Sequence, residues 1–228
     1  ETFDGGIVFT SPYSITRSEA LRYGSFKEGD KVGVLGYCEA ENQGVDISSS
    51  PWDTKKPFCT PDVFYNQELT YQGEGLWSYT WSGTGSVGGI HPWIKDNEGY
   101  TYSFFAYYPY VEISSYTNKG NIPNGGGTIT LSGENEKDNP TITYTMPHDG
   151  NSASGSKLEW KNVPDFMLAY RVDHVKSDGV VRLPFRHLFC AFEFRVNNYN
   201  ETPVTINGLR VSGENFYKSV TVTGQESG

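Results

Sequence analysis

The sequence predicts an all-β fold, and three observations carry that reading. The chain of 228 residues holds 16 Tyr, 13 Phe and 5 Trp but only 2 Met, beside 26 Gly and 12 Pro. That mix favours strands and turns over helices. No segment keeps a helical period over a useful length. Short apolar–polar alternations recur instead between Gly, Asn, Asp and Pro clusters, the pattern of a sandwich or barrel. About ten to twelve such segments are legible, more than a minimal seven-stranded sandwich needs.

The first segment spans residues 7–15, with Ile7, Phe9, Tyr13 and Ile15 on one face and Ser11 interrupting it. A polar stretch, 16–30, precedes a strand at 31–37 in which Val32, Val34 and Gly36 face one way. Residues 39–62, rich in Ser, Pro, Asn and Asp, read as a long loop with little regular structure. A strand pair at 69–71 and 76–81 turns at Gly73-Glu74-Gly75. On its second strand Trp77, Tyr79 and Trp81 alternate with Ser78, Thr80 and Ser82, which favours core packing over a sugar-stacking platform. Residues 83–89 are a glycine-rich loop. The most aromatic run, 100–111, is predicted to be a central strand. Strands at 128–131 and 141–146 flank a charged turn at 133–140. Strands at 165–175 and 180–196 are joined by Ser177-Asp178-Gly179, a predicted hairpin turn. Leu188, Cys190, Phe192, Phe194 and Val196 line one face of the second, and Leu188, Phe192 and Phe194 are expected in the core beneath 100–111. Strands at 204–211 and 217–222 complete the reading, and the break at Asn197-Asn198-Tyr199-Asn200 divides it into a sandwich over 1–200 and the beginning of a second at 201–228.

A chain of this length buries roughly 70% of its unfolded surface and needs neither metal nor disulfides to fold. The net charge of −9 argues against nucleic acid and anionic membrane surfaces as partners. No window approaches the roughly 18 apolar residues of a membrane-spanning helix. Glu1-Thr2-Phe3-Asp4 lacks the basic and apolar regions of a signal peptide, so any export signal is expected outside these residues. Cys38, Cys59 and Cys190 form no C-x-x-C pair. Cys190 reads as a small buried hydrophobe, and the spacing leaves a Cys38–Cys59 disulfide open.

No motif for catalysis survives inspection, and neither a cofactor nor a metal is expected. Gly83-Thr84-Gly85-Ser86-Val87-Gly88 matches a dinucleotide-binding pattern, but Gly89 and Pro92 argue against the helix that must follow it. Asp149 and Asn151 start like a calcium loop, which fails at Ala153, Ser154 and Trp160. His91, His148, His174 and His187 share no metal-ligand spacing. His187 alternates with Phe185 and Phe189 and is expected to make a buried hydrogen bond. Trp52 and Trp93, in predicted loops, are the candidates for exposed ligand contacts. Thr16-Arg17-Ser18-Glu19 follows the first apolar segment without apolar anchors, where proteolytic nicking concentrates; Arg17 is the candidate site, with Arg22 as the alternative.

Five segments in order resemble the fimbrillin family of Bacteroidales pilus and adhesion subunits. They are Phe26-Lys27-Glu28-Gly29-Asp30-Lys31-Val32-Gly33-Val34, Asn66 before the Trp-bearing strand, Tyr102-Ser103-Phe104-Phe105-Ala106-Tyr107-Tyr108-Pro109, Asp165-Phe166-Met167-Leu168-Ala169, and Leu183-Pro184-Phe185-Arg186-His187-Leu188. The resemblance implies transthyretin-like β-sandwich domains in tandem, this chain carrying the first, and a structural or adhesive role in cell-surface fimbriae rather than catalysis. It implies export to the outer membrane through an N-terminal lipid anchor that these residues lack. It also implies cleavage at a basic residue, Arg17 here, followed by β-strand addition from other fimbrial subunits. The alternative function is a carbohydrate- or host-glycan-binding surface module, and host glycan or protein is a candidate partner.

Overall fold

The computed structural model describes residues 5–12, 26–86, 88–93, 99–138, 140–147, 163–189, 197–199, 202–203, 205 and 219–223. In chain order the elements are β1 (Phe9–Thr10), β2 (Lys31–Tyr37), β3 (Glu41–Asn42), β4 (Val45–Asp46), α1 (Trp52–Lys55), β5 (Phe64–Tyr71), β6 (Leu76–Ser78), β7 (Thr101–Tyr108), β8 (Lys119–Asn121), β9 (Thr128–Leu131), β10 (Thr141–Thr145), β11 (Met167–Val175), β12 (Val181–Arg182), β13 (Arg186–His187) and β14 (Ser219–Thr223).

Eight strands form one sheet in the order β12-β1-β6-β5-β2-β7-β11-β13, and four form a second in the order β14-β10-β9-β8. β12 and β13 stand at opposite ends of the first order, yet only Leu183, Pro184 and Phe185 separate them in sequence. The sheet therefore curls until its two edges approach one another, as strand twist permits. Inside the curl lie Phe9, Val32, Val34, Leu69, Trp77, Phe104, Ala106, Leu183 and Phe185. Behind it, between the two sheets, lie Leu35, Tyr37, Phe105, Tyr107, Ile129, Leu131, Ile142, Tyr144 and Phe166. β2 and β7 serve both cores, because successive side chains of a strand point to opposite faces. This is why 101–108 reads as an unbroken apolar run rather than an alternating one. The fold is all-β, as the sequence predicts.

The structure departs from expectation at several places. The predicted loop 39–62 carries the β3–β4 hairpin and α1, whose Trp52 and Lys55 are buried. Lys55 Nζ donates to the carbonyls of Cys38 (2.9 Å), Ser48 (3.2 Å) and Thr101. An ammonium with three donors and three acceptors can be buried where an unpaired one cannot. Residues 177–179 do not make a simple hairpin. β12 crosses to pair in parallel with β1, and β13 then returns to pair antiparallel with β11, because Leu183 and Phe185 between them sink into the inner core. Leu188 is 37% exposed rather than a core residue, lying just past the edge strand β13. Its backbone N–H donates to Phe166 at 3.0 Å. Cys190, Phe192 and Phe194 lie outside the described residues. Cys38 and Cys59 are free thiols in different cores, and burial pushes both up to about 12. Of the segment assigned to a second sandwich, β14 pairs with β10 along its whole length, from Thr141↔Thr223 to Thr145↔Ser219.

Candidate functional site

The first strand sits in a slot that the curled sheet builds around it. Gly6 opens the segment at a point where a Cβ would meet Ile90 Cγ2 at 2.4 Å, so a larger residue would push the strand away from 90–92. Pro12 closes it, having no N–H to give a neighbour. Between them Ile7 and Phe9 point inward and are fully buried, while Val8 and Thr10 are only half-buried.

Both flanks hold the strand. On one side Ile7 N–H donates to His91 O (2.9 Å) and Ser11 N–H to Gly75 O (2.8 Å), with β6 antiparallel in register Phe9↔Trp77. The Tyr79 hydroxyl donates to Ile7 O at 2.7 Å and accepts the His91 N–H at 3.1 Å, joining strand, β6 extension and loop through one oxygen. Burial pushes this phenol up to about 12, so it stays a donor at physiological pH. On the other side Val181 N–H donates to Val8 O (2.8 Å) and Leu183 N–H to Thr10 O (2.7 Å). Among the described residues β12 has β1 as its one neighbour in the sheet order. Removing β1 would uncover the edges of both β6 and β12 together, an unpaired template for another strand.

The slot floor is aromatic. The Phe9 ring stands edge-on to Phe104 (5.3 Å between centroids, 89°) and Tyr79 (6.0 Å, 63°) and tilted against Phe64 (5.8 Å). At the neighbouring end Phe26 packs on Trp77 (4.9 Å), Phe185 (5.0 Å), Tyr108 (5.5 Å) and Tyr71 (5.8 Å). The chain is thus anchored on both sides of residues 13–25, first by Ile7 and Phe9 and again by Phe26.

The other candidates distribute differently. Arg17 and Arg22 lie outside the described residues. Trp52 and Trp93, expected as exposed contacts, are 1% and 8% exposed. Trp52 packs on Tyr37 and Phe105, and Trp93 on Tyr102 and His174. Neither presents a ring face to a ligand. Trp77 is core, with Tyr79 and Trp81 packed partly buried against it, as their alternation predicts. His187 Nδ1 meets Asp165 Oδ2 at 2.5 Å, a pairing that is partly rather than fully buried. Burial lowers the pKa of His91 and of His174, the latter against opposing contributions from the Gly179 carbonyl and Asp178. Among the described residues no three His, Cys, Asp or Glu side chains gather as a metal site. The slot was half legible in sequence: the alternation marks Ile7 and Phe9 as inward, but nothing in residues 5–12 names Val181 or His91 as neighbours.

Fold and slot together define a two-sheet β domain that clamps its own first strand. The fimbrillin-like family model matches residues 16–227, and the chain belongs to that family. It is 27% identical over 209 residues to Fimbrium subunit Fim1C of Phocaeicola vulgatus, covering 86% of this chain and 45% of that protein. A fimbrial protein of Bacteroides vulgatus shares the fold with a TM-score of 0.52 and 24% identity, over 81% of this chain and 45% of that one. A cell adhesion protein described as such from Bacteroides ovatus is more distant, with a TM-score of 0.38, 16% identity and coverage of 80% and 52%. The chain spans about half the length of these relatives.

Proposed function

We propose that the chain is a structural subunit of a cell-surface fimbrium, and that β1 is the strand exchanged when it joins neighbouring subunits. Cleavage after Arg17 releases residues 1–17 from their covalent tether, and a strand from another subunit then takes their place by β-strand addition. One observation supports the reading above the others: β1 is inserted between β6 and β12, bonded on both flanks, yet lies before a second anchor at Phe26. A cut between those anchors separates the strand without loosening the rest. Membership of the family and the resemblance to a fimbrium subunit point the same way.

Limited trypsin digestion followed by mass spectrometry tests this. The first cut is expected after Arg17, with peptide 1–17 co-eluting with the remaining chain until an excess of competing strand displaces it. An intact N-terminus after the chain has been cut elsewhere overturns the proposal. So does cleavage after Arg17 with immediate unfolding, which would make β1 an ordinary structural strand.

A further inference from the structure

The slot has a shape as well as an edge, and the shape distinguishes one strand from another. Two inward positions are fully buried, Ile7 and Phe9. The second is surrounded by rings on three sides, Phe104, Phe64 and Tyr79, two of them presented edge-on. Edge-to-face packing of this kind contributes beyond the area it buries. An aliphatic side chain at position 9 would forfeit it, and a small one would leave a void that the rigid β5 and β7 rings cannot close. The backbone bonds add a second filter. Ile7 N–H, Val8 O, Thr10 O and Ser11 N–H are all engaged, so proline is excluded at positions 7 and 11. The outward positions 8 and 10 carry no such demand.

We propose that the β1 slot selects its occupant by an aromatic residue at the Phe9 position, two residues after an apolar residue at the Ile7 position. The inference rests on the strand-exchange reading. Its partner is therefore an extended strand of another polypeptide with the pattern apolar–x–aromatic and free amides flanking it. Strands with plain aliphatic alternation are rejected even though they can form the same ladder. Specificity thus resides in one ring pocket between β5, β7 and the β6 extension, rather than in the backbone contacts that any strand supplies.

The test uses the full chain nicked by trypsin and labelled synthetic peptides of residues 4–12. The native peptide is expected to displace the bound strand. Phe9→Leu should be retained roughly tenfold less well and Phe9→Ala about 100-fold less well or worse, while Thr10→Ala should stay within about threefold. Equal retention of the native and Phe9→Ala peptides overturns the ring-pocket proposal while leaving strand exchange intact. Failure of the native peptide to enter overturns strand exchange and the pocket proposal with it. A second measurement needs no nicking. In the intact chain, amide exchange at Val181 and Leu183, whose N–H groups bond β1, should accelerate about 100-fold in Phe9→Ala and hold within about threefold in Thr10→Ala. Unchanged exchange in Phe9→Ala overturns the proposal.

Discussion

Asp173 Oδ1 accepts the backbone N–H of Trp52 at 2.7 Å. The acceptor lies in β11 at a bulge between Arg171 and His174, with φ of 53°, and the donor opens α1. Pro51, at the local cap position of α1, supplies no side-chain cap, so a carboxylate from a strand remote in sequence does so. The bulge re-aims this one side chain toward the helix. Asp173→Ala should cost about 2 kcal/mol, combining a lost cap with alanine in the left-handed region. Asp173→Asn, which tolerates that region, should cost less. Urea unfolding of the two variants gives the comparison, and equal midpoints with the parent chain would count against the cap.

A second interlock spans the neighbouring strands β5, β2 and β7. Tyr107 Oη donates to Asn66 Oδ1 at 2.6 Å, and Asn66 Nδ2 donates to Val111 O at 3.0 Å. Asn66 holds φ of 51° to make this reach. Gly33 leaves the room: a Cβ there would stand 2.4 Å from Tyr107 Cε1 and 2.7 Å from Asn66 Oδ1. Gly33→Ala is expected to destabilise by about 3 kcal/mol through overpacking, and Tyr107→Phe by about 1–2 kcal/mol through the orphaned amide. Thermal unfolding in which Tyr107→Phe costs more than Gly33→Ala would reverse this assignment.

Lys55 is fully buried, with its ammonium among three carbonyls. Burial lowers its pKa, against smaller opposing contributions that include the Asp62 and Asp173 carboxylates. Lys55→Ala should cost about 3 kcal/mol or more, since it removes the donor that the Cys38 and Thr101 carbonyls face and opens a cavity. Lys55→Met keeps the volume and should recover part of that loss. Denaturation midpoints in the order parent, Met, Ala are the expected result.

Acidification should weaken the fold through two histidines. His91 and His174 have pKa values lowered in the folded state, chiefly by burial, from 6.5 in the unfolded chain. The unfolded chain therefore binds more protons as pH falls below about 6.5, and stability declines from there toward the folded values. The groups facing His174 include Asp178, whose Oδ2 lies 3.7 Å from Nδ1, Arg171, the Gly179 carbonyl and the Trp93 and Phe104 rings. Between pH 7 and 5.5 melting temperature should fall more in the parent than in the double variant His91→Gln/His174→Gln, while Asp62, whose carboxyl burial pushes up to about 6, works in the opposite direction in both. An identical pH slope in the double variant would show that other groups govern it.

The strands that are central in space were the most legible in sequence. Residues 101–108 and 31–37 carry their burial in their own composition, and Trp77, Tyr79 and Trp81 declare a face by strict alternation with Ser and Thr. Trp52 and Trp93 were misread because loops are ordinarily exposed, whereas what covers these two rings comes from β2, β7 and β11. The parallel pairing of β1 with β12 was equally invisible. Alternation within 7–10 and within 181–183 says which side chains turn inward, but it does not say which strand lies alongside. The slot was therefore readable as an apolar strand and unreadable as a place.

The register Phe9↔Val181 also sets a timetable. A chain made at 5–20 residues per second presents Val181 roughly 10–30 s after Phe9. During that interval the first strand has no β12 to lie against, and among the described residues β12 has no other neighbour in its sheet. Closure is consequently a late event in the life of each newly made molecule. Until it happens, the edge of β1 that β12 later covers stays open, and whatever escorts the chain must keep that edge from pairing with another strand.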